Sequence, residues 1–94
     1  MARCYVDLSQ NEMNYLIREL ERINQNNDYD TEIISLQSKI TYSKQFKMNV
    51  WNCTFDYRVL YNIYETLYTK LKLEEELLIK IEKSLKEIYG RKRN

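Results

Sequence analysis

The sequence predicts an all-α protein: an N-terminal helical hairpin packed on one long C-terminal helix, with a short extended lead-in able to serve as a single N-terminal strand. Three observations carry this. The 94 residues include one glycine and no proline, and sheets or long loops need such turn formers. Hydrophobic residues make up 44% and charged residues 31%, which is too apolar for disorder and ordinary for a folded chain. Beyond about position 10 the apolar residues recur mostly at spacings of three and four, the period of a helix face.

Residues 3–8 alternate, with Cys4, Val6 and Leu8 on one side and Arg3, Tyr5 and Asp7 on the other, as an edge segment does. Ser9 then opens a helix expected over about residues 10–24. Ser9 and Glu12 have the S-x-x-E spacing of a capping box, and Leu8 and Met13 that of a hydrophobic staple. Met13, Leu16, Ile17, Leu20 and Ile23 form its apolar face. After the polar connection 24–28, Asp30 is the expected N-cap of a second helix over about residues 31–45, with Tyr29 and Ile34 as its staple. Ile33, Leu36 and Ile40 mark the buried face of that helix. Residues 41–53 carry Tyr42, Phe46, Met48, Val50 and Trp51 in partial alternation, and stay open between helix, bend and strand.

From about 54 to 89 the pattern reads as one helix. Leu60, Tyr64, Leu67, Leu71, Leu78, Ile81, Leu85 and Ile88 follow spacings of four and three, with Glu74 in one seam position. Either the helix bends there and Glu74 faces water, or Glu74 is a buried polar residue that fixes register. Such a helix is roughly 50 Å long, more than two short helices cover. Leu60, Leu67, Leu71, Leu78, Ile81, Leu85 and Ile88 are therefore expected as an oligomer seam, with a second copy of the chain as the simplest partner, in a dimer or higher oligomer. Gly90 sits where a left-handed C-cap is expected, and residues 90–94 make a short basic tail. The whole of residues 1–94 reads as a single helical domain, near the lower size limit of a self-sufficient core.

Little of the usual chemistry of catalysis is present. The chain has no histidine, the commonest general base and a frequent metal ligand. Cys4 and Cys53 alone make no zinc site and are expected as thiols. Residues 28–39 faintly follow a calcium loop but lack its glycine, and Lys39 stands where the bidentate glutamate belongs. Glu74, Glu75 and Glu76 are consecutive, so on a helix they point apart. A single glycine leaves no phosphate-cradling loop. The expectation is a binding protein, not an enzyme, with no cofactor and no metal. No apolar run reaches the roughly 18 residues of a membrane span. A net charge of +1 gives no pull toward nucleic acid, and the second helix is too poor in basic residues to read a groove, so no sequence-specific nucleic-acid partner is expected.

The nine tyrosines offer a binding feature. Tyr57, Tyr61, Tyr64 and Tyr68 follow i, i+4, i+7, i+11 and occupy a stripe about 60° wide at 100° per residue. They are either the margin of a helix seam, with rings packed and hydroxyls wet, or a presented aromatic surface. Arg18, Arg22 and Arg58 are candidate anion contacts beside such a surface. Arg18 and Arg22 also have carboxylate neighbours in Glu12, Glu19 and Glu21 with which they can pair instead.

The chain is rich in Asn, Lys, Ile and Tyr and opens on an extended segment. The Val6-Asp7-Leu8-Ser9-Gln10-Asn11-Glu12 start of the first helix follows, then a hairpin and a long helix. In this outline it resembles the small helical accessory proteins encoded by phages, including inhibitors of host immunity. That resemblance implies a cytoplasmic protein of a bacterial host cell that binds a host protein, as anti-CRISPR proteins occlude a surface of a Cas effector. Compact helical sponges that sequester a cyclic nucleotide messenger are similar in size and helix order, and imply an oligomer with an inter-subunit pocket. A structural coiled-coil adaptor, its seam consumed by self-association, is the third reading.

Overall fold

The computed structural model describes residues 2–93, with side chains for residues 2–90. The elements run β1 (Arg3–Leu8), α1 (Gln10–Ile23), α2 (Asp30–Ser43), β2 (Trp51–Asp56), α3 (Tyr57–Leu73) and α4 (Glu75–Arg93). The fold is mostly helical, with four helices, and β1 and β2 form a two-stranded antiparallel sheet. The all-α expectation is thus corrected by a sheet. The chain divides into two compact units, Asp7–Trp51 and the discontinuous pair Met1–Val6 with Asn52–Asn94.

In the unit Asp7–Trp51, α1 begins as its sequence dictates. The Ser9 hydroxyl accepts the Glu12 backbone N–H at 3.2 Å, and the Glu12 carboxylate accepts the Ser9 N–H at 2.8 Å. Two orphan donors of the first turn are satisfied reciprocally. Leu8, Met13, Leu16, Ile17 and Leu20 are buried, the face the spacing marked. α1 packs on α2, which buries Ile33 and Leu36 and half-buries Ile40. Two details of α2 differ from expectation. Tyr29, not Asp30, holds the N-cap position, without a side-chain cap bond. Ile34, expected as a staple, is exposed. Asp30 is already helical, and its carboxylate accepts from the Asn24 amide at 2.6 Å instead of capping the first turn. The cap therefore falls one residue earlier, and the staple position moves with it.

In the other unit, β2 takes the strand alternative left open for the end of residues 41–53 and runs on to Asp56. Asn52-Cys53-Thr54-Phe55 alternates, with Cys53 and Phe55 buried and Asn52 and Thr54 exposed. β1 alternates in the same way, burying Cys4 and Val6. The Tyr57 N–H donates to the Ala2 carbonyl at 3.0 Å, a bond that carries the pairing one step past the strand ends. No disulfide joins Cys4 and Cys53. Residues 54–56, expected as helix, are strand, and α3 starts only at Tyr57. Its N-cap is Asp56, whose carboxylate accepts the Arg58 N–H at 2.9 Å.

The single long helix over residues 54–89 is corrected as well. It breaks at Glu74 (φ −110, ψ 69), and α4 packs back on α3 as a second hairpin. Glu74 is exposed; of its two readings, the bend holds. The break occurs without glycine or proline, and the charges around it suit it. Lys70 and Lys72 lie in the last turn of α3, and Glu75 and Glu76 in the first turn of α4. Cations favour the negative end of a helix and carboxylates the positive end of the next, so a break at 74 places all four favourably.

The expected oligomer seam is therefore folded against its own chain. Leu60, Leu67, Leu71, Ile81, Leu85 and Ile88 are buried within the monomer, together with Ile63 and Leu77. Leu78 is only half-buried, because the break shifts the phase and puts Leu77 inward. These leucines require no second copy to cover them. Gly90 does not cap the helix: no glycine has a positive φ, and α4 runs on to Arg93. Residue 94 and the side chains of 91–93, expected as a basic tail, lie outside the described residues.

Candidate functional site

The tyrosine stripe and the fold-back of α4 together build a groove. Antiparallel packing about Glu74 sets Tyr64 near Glu82, and the positions toward the start of α3 against those toward the end of α4. The groove is lined by Tyr57, Tyr61 and Tyr64 from α3, and by Glu82, Leu85, Lys86 and Tyr89 from α4. These α4 positions follow i, i+3, i+4, i+7, one helix face. Its volume is about 210 Å³, below the roughly 300–1,000 Å³ of pockets that enclose a drug-sized ligand. The space suits a single side chain.

Its rings are held in place. Tyr57 and Tyr61 stack with centroids 6.1 Å apart, and Tyr64 meets Tyr68 edge-on at 5.4 Å. The Tyr64 hydroxyl donates to the Glu82 carboxylate at 3.0 Å. Burial, followed by that bond and the Glu82 charge, pushes the Tyr64 phenol up to about 12. The Tyr61 phenol is raised too, first by its hydrogen bond to Glu65 and by the charge of that carboxylate. Both hydroxyls therefore direct their protons at carboxylates and stay neutral at any physiological pH.

The four tyrosines of the stripe do not share one environment. Tyr57, Tyr61 and Tyr64 converge on the groove, whereas Tyr68 stands outside it with Lys72 Nζ 5.1 Å from its ring centroid. The candidate anion contacts are not brought to this wall. Arg58 follows the Asp56 cap and its side chain is exposed. Arg18 and Arg22 belong to α1 in the other unit, and Arg22 Nε donates to Glu19 at 3.1 Å. Glu82, Leu85, Lys86 and Tyr89 were missed as site residues. Their signal is recoverable once the break is placed at Glu74, since residues summing to about 146 then face each other across the hairpin: 57 with 89, 61 with 85, 64 with 82.

Among the described residues, no group of His, Cys, Asp or Glu is placed to hold a metal ion, and no helix is long and apolar enough to cross a membrane. A second hollow, lined by Ile79, Glu82, Lys83, Lys86 and Glu87, lies on the surface of α4 alone. Comparison with known proteins finds no match to a family model, a curated protein or a solved structure.

Proposed function

We propose that this chain is a non-enzymatic binding protein that uses the α3–α4 tyrosine groove to seat a side chain of a protein partner, covering part of that partner's surface. The observation that carries the reading is the convergence of Tyr57, Tyr61, Tyr64 and Tyr89 on one open groove. Tyrosine gives large, rigid contact area at low entropic cost and concentrates at binding hot spots. Occlusion of a host protein, the mode implied by the resemblance to phage anti-defence proteins, follows naturally from an open aromatic surface on a chain of this size.

The cyclic-nucleotide sponge is the weaker reading. The groove of one chain offers about 210 Å³, and a cyclic dinucleotide needs more room. A self-associating adaptor is weakened because the seam leucines are already buried within one chain.

A photo-crosslinking amino acid at position 61 tests the proposal, with one at the exposed Ile34 as control. A discrete protein adduct is expected from position 61 and not from 34. The purified adduct partner should lose at least about 2 kcal/mol of affinity for a Tyr57→Ala, Tyr61→Ala double variant that keeps its helical circular dichroism. Adducts of equal yield from both positions, or an unchanged affinity, would sink it.

A further inference from the structure

We infer that the groove is a cation site: what it takes from its partner is the guanidinium of an arginine side chain. This rests on the reading of the groove as the contact surface and adds the chemistry of the group that enters it. Four tyrosine rings line one small space, and the face of an aromatic ring is its negative part, attractive to a cation within about 6 Å. The hydroxyls of Tyr61 and Tyr64 are turned to Glu65 and Glu82. Two of the hydroxyls on this wall are thereby turned to carboxylates, and each phenol bonded to a carboxylate is more electron-rich. Glu82 itself stands on the wall as a counter-charge. The same stripe already seats a cation of its own chain, Lys72 over Tyr68.

Arginine fits better than lysine. Its flat guanidinium stacks on a ring while its edge donates in parallel to a carboxylate, whereas an ammonium is a compact, strongly hydrated point charge. The opposing feature is Lys86, which also lines the groove. It is exposed, so its stem can form wall while its ammonium moves into water. Lys86 nevertheless repels an entering cation, and this gives the proposal a sign that an anion site reverses.

The test is a titration of the full chain, with isotope-labelled tyrosine rings, against the peptide acetyl-Gly-Gly-Arg-Gly-Gly-amide. Controls are its citrulline twin, which has the same shape without the charge, and adenosine monophosphate as a planar anion. The arginine peptide is expected to move the ring signals of Tyr57, Tyr61, Tyr64 and Tyr89, with the citrulline peptide about tenfold weaker. Glu82→Gln keeps an oxygen for the Tyr64 hydroxyl and should weaken arginine binding about tenfold, while Lys86→Gln should strengthen it about twofold. Equal response to arginine and citrulline, a preference for adenosine monophosphate, or weakening by Lys86→Gln would overturn the inference. The wild-type peptide comparison decides the matter even where a variant fails to fold. If the arginine peptide does nothing while crosslinking at position 61 still captures a protein, only the cation chemistry falls. If both fail, the binding surface itself lies elsewhere.

Discussion

The two helical hairpins of this chain turn by different means. Between α1 and α2 the turn spans residues 24–29 and is held by side-chain chemistry. The Asn24 amide oxygen accepts the Tyr29 N–H at 2.8 Å, its nitrogen donates to Asp30 at 2.6 Å, and Asn27 takes a left-handed φ of 60. Between α3 and α4 a single residue, Glu74, leaves the helix. Its N–H donates to the Leu71 carbonyl and its carbonyl accepts the Leu78 N–H, both at 3.0 Å. Lys70 and Lys72 stand before it and Glu75 and Glu76 after it. The first hairpin has a wide, polar, hydrogen-bonded turn. The second has a one-residue turn, and the groove lies at the margin of its helix pair, where Tyr57, Tyr61 and Tyr64 stand beside the buried Leu60, Ile63 and Leu67.

If the second hairpin is held by its interior rather than its turn, the largest effect should come from the core. Leu67 is 1% exposed, and Leu67→Ala is expected to cost about 2–5 kcal/mol by lost transfer energy and a residual cavity. Urea denaturation followed by circular dichroism measures it. A cost under about 1 kcal/mol would mean that α4 does not cover this side chain, and the folded-back hairpin would have to be abandoned.

The turns themselves separate the two regions further. Asn24→Ala removes two hydrogen bonds and should cost about 1–2 kcal/mol, nearly independent of salt. Glu75→Lys with Glu76→Lys reverses charge at the start of α4 and should cost about 0.5–2 kcal/mol in dilute buffer. That second loss should shrink markedly in 1 M salt, where the screening length is about 3 Å. If both costs respond to salt alike, the contrast between a bonded turn and an electrostatic one is wrong.

The same contrast explains what the sequence made legible. The first hairpin was readable because Ser9, Glu12 and the run of polar residues from Asn24 to Asp28 are local signals with local causes. Even there the cap of α2 slipped by one residue, because the Asn24–Asp30 bond joins positions six apart. The second hairpin was misread because Leu60, Leu67, Leu71, Ile81, Leu85 and Ile88 keep a near-heptad spacing straight through the turn. A break of one residue without glycine or proline leaves that phase almost intact, and only Leu77 taking the place of Leu78 betrays it. The end of β2, residues 54–56, was hidden for a related reason: Cys53 and Phe55 alternate over too few residues to stand out beside a strong helical pattern. Half of the groove followed from the stripe of Tyr57, Tyr61 and Tyr64. The other half depended on the fold-back, a tertiary fact with only the Lys70, Lys72, Glu75, Glu76 charge order to announce it.

A smaller effect sits at the hydrogen bond that ties the two helices of the groove together. Tyr64→Phe removes the bond to Glu82 and should cost about 1 kcal/mol. The wild-type protein should also lose stability in alkali. Both states hold the phenol neutral below pH 10. As pH rises, the unfolded chain releases this proton near its ordinary value of 10.0, while the folded protein keeps it until about 12. The stabilisation is therefore whole below pH 10 and is lost through the window from 10 to about 12. Spectrophotometric titration should find a phenol that ionises near 12, absent in Tyr64→Phe. A titration in which all tyrosines ionise together would remove the tie between α3 and α4.

The smallest effect has the most informative sign. Gly90 lies inside α4, no glycine has a positive φ, and a Cβ added there meets nothing within 4 Å. Gly90→Ala should therefore stabilise the end of α4 by up to about 0.5–1 kcal/mol, since glycine in a helix interior carries the larger entropy cost. A left-handed cap at this position predicts the opposite sign, because alanine is strained at positive φ. Tyr89, the last aromatic of the groove, directly precedes Gly90, so a firmer helix here should hold that ring more steadily in the groove wall. Thermal denaturation reads the stability, and the arginine-peptide titration reads the groove. A rise in melting temperature with unchanged or tighter peptide binding supports α4 as a continuous wall. A fall in both would end the helix at Tyr89 and leave the groove open on that side.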